Sequence, residues 1–183
     1  VAAMPRLRTL RLVHTLLTGT LPASLLRHAS LEVLKLERNP MTGTLPVAAV
    51  ANDRLATLAL NFNALSGTLP AATFERLRAL QKIVIDGNAF TGSVPAAAIG
   101  ALRALQTLAL NANYLNGTLG AAICKPAYAD HCHLGYDHTL AGAPYYADYA
   151  WTGAPRARGN CYACPLPECA TYANVCNASA KSY

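Results

Sequence analysis

The first 123 residues contain no cysteine, and the whole chain has one tryptophan, three phenylalanines and only 13% charged side chains. Each shortage excludes something. Without cysteine, that stretch has neither a disulfide nor a thiolate metal site, and must hold together by packing. Low charge beside 53% hydrophobic residues excludes a disordered tail and permits a large core. No apolar run approaches the ~18 residues of a bilayer-spanning helix. No Gly-x-Ser-x-Gly elbow, phosphate-cradling loop or His-Glu-x-x-His occurs. Asp53, Asp86, Asp130 and Asp137 are scattered in no pattern that would make two converge. No catalytic site and no cofactor are therefore expected, and the chain reads as a non-enzyme. It opens Val1-Ala2-Ala3-Met4 without a leader, so an N-terminal segment is expected to have been removed or left out.

The net charge of +6 is unevenly placed. Up to Ile123, eleven Lys and Arg face five Asp and Glu; beyond it four face four. The basic residues do not cluster with stacking aromatics, so nucleic acid is not an expected partner.

What the chain does have is one phrase written five times: Leu-x-x-Leu-x-Leu-x-x-Asn-x-Leu-x-Gly-x-Leu-Pro. The cleanest copy runs from Leu55 to Pro70, and the copies begin at Leu7, Leu31, Leu55, Leu80 and Leu105. A period of 24 to 25 residues marks a stacked-repeat solenoid. Alternation in Leu58-Ala59-Leu60 predicts a short strand, and stacking pairs these strands into a parallel sheet about 4.8 Å per coil. Asn39, Asn63, Asn88 and Asn113, with Thr15 in the first copy, mark the point where the chain leaves the sheet. A buried amide there can bond the turn and its neighbours, forming a structural ladder. Thr15 has only a hydroxyl for that task, which predicts a less regular first coil. Gly19, Gly43, Gly67, Gly92 and Gly117 occupy positions where a Cβ would obstruct. Pro22, Pro46, Pro70 and Pro95 open Ala-rich segments suited to short outer helices, with Leu25, Val50, Phe74, Leu77, Ile99 and Leu102 facing in.

Five in-register copies, with TGTLP, SGTLP and TGSVP after the Asn, resemble leucine-rich repeats of the plant-type subclass. Similar sequences are plant receptor ectodomains, polygalacturonase-inhibiting proteins and trypanosomatid surface antigens. The resemblance covers about two-thirds of the chain. It implies an α/β repeat solenoid, a curved right-handed coil with a parallel sheet on the concave face and a second short strand at the GTLP element. It also implies a recognition role, without naming a ligand. The N-terminal cap common in that family is missing here.

Residues 1–123 thus form the expected solenoid and residues 124–183 a cap and appendage. The second part holds all six cysteines, Cys124, Cys132, Cys161, Cys164, Cys169 and Cys176, with eight of the nine tyrosines and Trp151. An even number of Cys in a short, loop-rich segment reads as disulfides in an oxidising compartment. The expected cap is irregular, rich in disulfides and clipped by Cys124 and Cys132, and the array is expected to stop at Gly120. His131, Cys132, His133 and His138 with the Cys161-x-x-Cys164 pair invite a zinc reading, but disulfides are the expectation and no metal is. Asn116-Gly117-Thr118 and Asn177-Ala178-Ser179 fit the N-glycosylation pattern. The location read from these features is extracellular.

Candidate binding residues lie in the outward columns of the strands. Arg11, His14, Lys35 and Arg38 would meet an acidic protein partner on the concave face, with Phe62 as an aromatic anchor. Rows of Thr and Ser at the GTLP element (Thr20, Thr44, Thr68, Ser93, Thr118) suggest a surface for carbohydrate or ice. The bare first coil and the Tyr-rich appendage suggest a third use, head-to-tail self-assembly into a coat or fibre. Protein contact, with copies of itself as the first expected partner, is the reading the sequence favours. Ligand recognition by the concave face and the Thr ladder are the alternatives.

Overall fold

The computed structural model describes residues 4–48, 51–119, 121–123 and 132–133. Each coil contributes one strand to a long parallel sheet: β1 (Thr9–Arg11), β2 (Val33–Lys35), β3 (Thr57–Ala59), β5 (Lys82–Val84) and β7 (Thr107–Ala109). The register repeats without slip, as in Leu10 opposite Leu34, Leu34 opposite Leu58, Leu58 opposite Ile83 and Ile83 opposite Leu108. A second, three-stranded sheet forms at the GTLP side from β4 (Ser66–Thr68), β6 (Ala89–Ser93) and β8 (Tyr114–Asn116). Single bridges, Gly19 with Met41 and Thr44 with Ser66, carry its pairing back to the first coil.

The leucines fill the space between the sheets and the outer segments. Leu34, Leu58, Ile83 and Leu108 are fully buried, as are Leu31, Leu55, Leu80 and Leu105. Each such side chain contributes ~1.5–3 kcal/mol relative to exposure. Because a coil touches only its neighbours, these gains accumulate along the stack. The first coil has no neighbour on one side among the described residues. There Leu7 and Leu10 are half-buried, and Leu12 and Leu16 are exposed. Leu16 also takes a left-handed φ of 62° that its counterparts in later coils do not share.

Three outer segments form short helices: α1 (Ala23–Leu26), α2 (Ala71–Arg76) and α3 (Ala96–Gly100). Pro22, Pro70 and Pro95 stand immediately before them, where the missing N–H is no loss. Leu25, Phe74, Leu77, Ile99 and Leu102 turn inward and are buried; Val50 lies outside the described residues. The second coil has no helix there among its described residues. Asn52 replaces it, buried, with its Nδ2 donating to the carbonyls of Leu26 and His28 and its Oδ1 accepting from the N–H groups of Arg54 and Leu55. The Thr73 hydroxyl on α2 donates to Pro46 O at 2.8 Å and accepts from Ala48 N, replacing helical bonds that this segment lacks.

One expectation needs correction. The array does not end at Gly120: β9 (Cys132–His133) adds a sixth strand to the long sheet, parallel to β7, with Cys132 opposite Leu108. An unpaired final strand would expose a row of backbone donors and acceptors, and β9 covers part of that edge. Cys132 follows Leu108 at 24 residues, the distance that separates Leu10 from Leu34, so the strand keeps the repeat's period after its leucine code has lapsed. The expected disulfide framework otherwise lies outside the described residues.

Candidate functional site

The strand register carries one side-chain column after another across the sheet face that points away from the core. The first column is Arg11, Lys35, Ala59, Val84 and Ala109. Pairing continues past the strand ends through bonds such as Leu36 N to Ala59 O and Arg38 N to Asn61 O, both 2.9 Å. That extension aligns a second column, Val13, Glu37, Asn61, Asp86 and Asn111. It also aligns a third: His14, Arg38, Phe62, Gly87 and Ala112.

The third column is left-handed throughout, with φ between 51° and 63°. A side chain in that conformation costs ~1–2 kcal/mol. The next residue explains why it is tolerated, because the reversal drives Asn39, Asn63, Asn88 and Asn113 inward. Asn63 donates from Nδ2 to Leu36 O, Leu60 O and Asn61 O, and its Oδ1 accepts from Met41 N. Asn88 and Asn113 repeat the pattern one coil on each time. Each amide ties its own turn to the coil before it. Asn39 accepts instead from Thr15 N, the Thr15 hydroxyl and Leu17 N, so the Thr of the first coil is bonded by its neighbour's Asn.

The five sequence candidates fall on adjacent columns of one face, but their charges are not free to act together. Lys35 Nζ lies 3.7 Å from Glu37 Oε1, and Arg8 pairs with Glu32 at 3.1 Å beside them. The Arg38 guanidinium stands 5.9 Å from the Phe62 ring centroid, a cation–π distance. Arg11 and His14 are exposed. The Phe62 ring in turn lies over Gly87, where a Cβ would stand 2.5 Å from Phe62 Cδ1. Arg38, Phe62 and Gly87 thus form a stack across three coils. Gly87→Ala is expected to destabilise the solenoid by ~1–3 kcal/mol, combining left-handed strain with displacement of the ring. Urea unfolding of Gly87→Ala in parent and Phe62→Ala backgrounds checks this; an equal cost in both would show that the ring is not involved.

Two residues of the second column acquire a significance that sequence reasoning did not give them. Asp86 is only 7% exposed, and its carboxyl is pushed up from 3.8 to about 7. Burial is the main cause; its own backbone N–H pulls the other way, and the charge of Glu37 adds a smaller upward push. Asp86 has no ion-pair partner among the described residues. Beside it the Asn61 amide oxygen is fully buried without a hydrogen-bond partner. A sequence signal did exist: an acid in an outward column otherwise filled by small or apolar residues (Ala59, Val84, Ala109, Ala112).

On the other flank, Thr20, Thr44, Thr68, Ser93 and Thr118 are exposed. Their placement is enforced by the glycines of the following coil. Gly67 has φ +78°, and a Cβ there would stand 2.8 Å from the Thr44 methyl. Asn116 is exposed at the end of β8; Asn177 lies outside the described residues. Among the described residues no group of His, Cys, Asp or Glu is arranged to hold a metal, and no helix is long and apolar enough to cross a membrane.

A long parallel sheet, a second short sheet at the GTLP element and an inward Asn at every turn define a leucine-rich-repeat solenoid. The chain is a leucine-rich-repeat protein of the plant type. It is similar to the BIR3–SERK2 complex of Arabidopsis thaliana, at 30% identity over 64% of this chain and 62% of that one, with a TM-score of 0.60. It is similar also to the plant peptide hormone receptor RGFR1 in complex with RGF2, at 30% identity over 65% of this chain and 19% of the receptor, TM-score 0.61. PEPR1 with AtPEP1 matches at 28% identity over 64% and 16%, TM-score 0.60. The chain therefore spans less than two thirds of the length of each. No protein-family model matches it, and neither does any curated protein.

Proposed function

We propose that this protein is a non-enzymatic, extracellular recognition module that takes a peptide or protein segment on the sheet face described above. The observation that carries the reading is the Arg38–Phe62–Gly87 stack beside the Asn61–Asp86 pair. An aromatic platform and under-satisfied polar groups share one face and are held by left-handed backbone. Aromatic and Arg side chains are the usual anchors of binding surfaces, and strained or incompletely paired groups concentrate at functional sites. The solved structures similar to this chain include ectodomains in complex with a peptide hormone or a partner protein, which supports the same reading. The acidic-partner version expected from Arg11, His14, Lys35 and Arg38 is narrowed, because Glu37 neutralises Lys35.

Head-to-tail assembly into a coat or fibre has no comparable support. It calls on the Tyr- and Cys-rich appendage, which lies outside the described residues except for β9. The regular Thr row is geometrically real, but it carries no feature that points to a glycan or to ice.

The test is a random peptide library displayed on phage and selected against the full chain. Enriched peptides are expected to share a motif and to bind Phe62→Ala at least ~10-fold more weakly, the loss of a modest hot spot. Arg103→Ala, an exposed site beyond α3, should leave binding unchanged. Peptides that bind Phe62→Ala as well as the parent would remove the sheet face as the site.

A further inference from the structure

We propose that Asn61 and Asp86 together form the seat for a cationic nitrogen, the ammonium of a lysine or the guanidinium of an arginine in the bound peptide. The inference rests on the recognition reading above and names the chemistry of its ligand. Asn61 and Asp86 are neighbours on successive coils, since Phe62 N donates to Asp86 O at 3.0 Å while Arg38 N donates to Asn61 O. Leu60 and Ile85, one position before them, are fully buried, so alternation turns Asn61 and Asp86 to the other face. The pair offers acceptors without a matching donor: a buried amide oxygen with no partner and a buried carboxyl with no counter-charge.

The spacing suits one nitrogen. Strand neighbours stand ~4.8 Å apart. A nitrogen ~2.8 Å from each of two oxygens bridges a gap of up to ~5 Å. The surrounding charge favours a cation. Among the described residues, Glu37 lies one coil beyond Asn61 in the same column and acts on Asp86, while its own cation, Lys35, is occupied with it. Arg38 stacks on Phe62 in the next column, and Lys82 is exposed at the start of β5. Leaving two buried acceptors unpaired costs ~1–3 kcal/mol each, and a donor from the ligand recovers that loss on binding.

An internal solution competes with the ligand. A protonated Asp86 could itself donate to Asn61, which makes the seat close as pH falls. With the carboxyl at about 7 in the free protein, a cation should bind well at pH 8 and poorly at pH 5.5.

The probes are N-acetylated, C-amidated pentalysine and pentaglutamate, titrated into the full 183-residue chain by calorimetry. The net charge of +6 favours pentaglutamate non-specifically, so a preference for pentalysine is diagnostic. We expect pentalysine to bind at pH 8, at least ~10-fold more weakly at pH 5.5, and at least ~10-fold more weakly to Asp86→Asn, without residual pH dependence in that variant. Asn61→Leu should weaken binding several-fold while keeping the pH dependence. Asp86→Asn keeps size and shape, and its melting curve reports whether it is folded. The proposal is overturned if pentalysine does not bind, if pentaglutamate binds as well, or if Asp86→Asn binds like the parent. If the phage selection returns Phe62-dependent peptides without Lys or Arg, the cation seat is lost and the recognition reading stands.

Discussion

Asp86→Asn is expected to make the solenoid more stable at pH 8 by ~3–4 kcal/mol and to leave it nearly unchanged at pH 3.5. The carboxyl titrates near 3.8 in the unfolded chain and at about 7 in the fold. Between those values the unfolded chain gives up its proton while the folded chain keeps it. Folding therefore loses stability as pH rises through that window, at ~1.4 kcal/mol per unit, and the loss levels off above about 7. The penalty is absent below 3.8, where both states are protonated. Asn has no charge to bury, so its stability should not follow this curve. Thermal melts of parent and variant from pH 3.5 to 8 should diverge progressively, reaching a gap on the order of 10 °C. Parallel curves would mean that the carboxyl is already solvated in the fold. The stabilised variant is also the one expected to lose the cationic ligand, because the group that costs the fold most is the one the site needs.

Asn88→Ala should cost ~3–5 kcal/mol, enough to remove much of the stability of a small domain. The side chain accepts from Leu65 N at 3.1 Å and donates to Leu60 O and Ile85 O at 3.0 Å and to Asp86 O at 3.3 Å. Truncation leaves those backbone groups buried without their amide partner, in two successive turns at once. Asn88→Asp would keep the accepting oxygen, lose both donors and bury a charge, so it should be no milder. Thr15→Ala in the first coil is the contrast. Its hydroxyl makes one bond, 3.1 Å to Asn39 Oδ1, at an exposed residue, and a cost below ~1 kcal/mol is expected. Guanidinium unfolding of the three variants orders them; an Asn88→Ala cost near that of Thr15→Ala would show that the ladder is decorative.

The coil could be read from the chain because its code is local. Leucine at alternate positions, Asn at the turn, Gly with a positive φ and Pro before the outer segment each answer a demand of one coil and its neighbour. That is why Leu34, Leu58, Ile83 and Leu108 form one buried row. The second coil escaped the reading, since Asn52 and Thr73 substitute side-chain bonds for helical ones and no periodic signal announces such a substitution. The sixth strand escaped it too, because pairing at β9 is set by backbone geometry at a 24-residue offset and not by leucine.

The candidate site was only half legible. Columns could be written down from the register, so Arg11, His14, Lys35, Arg38 and Phe62 were placed on one face in advance. Their electrostatic state could not be. Whether Lys35 is free or paired with Glu37 depends on side-chain reach. Whether Asp86 is an ordinary surface acid or a buried one near neutrality depends on the desolvation around it.

By itself, then, the sequence determined the repeat, its period, its buried leucine and asparagine ladders and the identity of every column. Those follow from periodicity and local backbone demand, which are one-dimensional properties. The tertiary structure decided which column residues are neutralised, stacked or left unsatisfied. Burial and mutual distance between coils 24 residues apart set charge and hydrogen bonding, and no single coil contains that information.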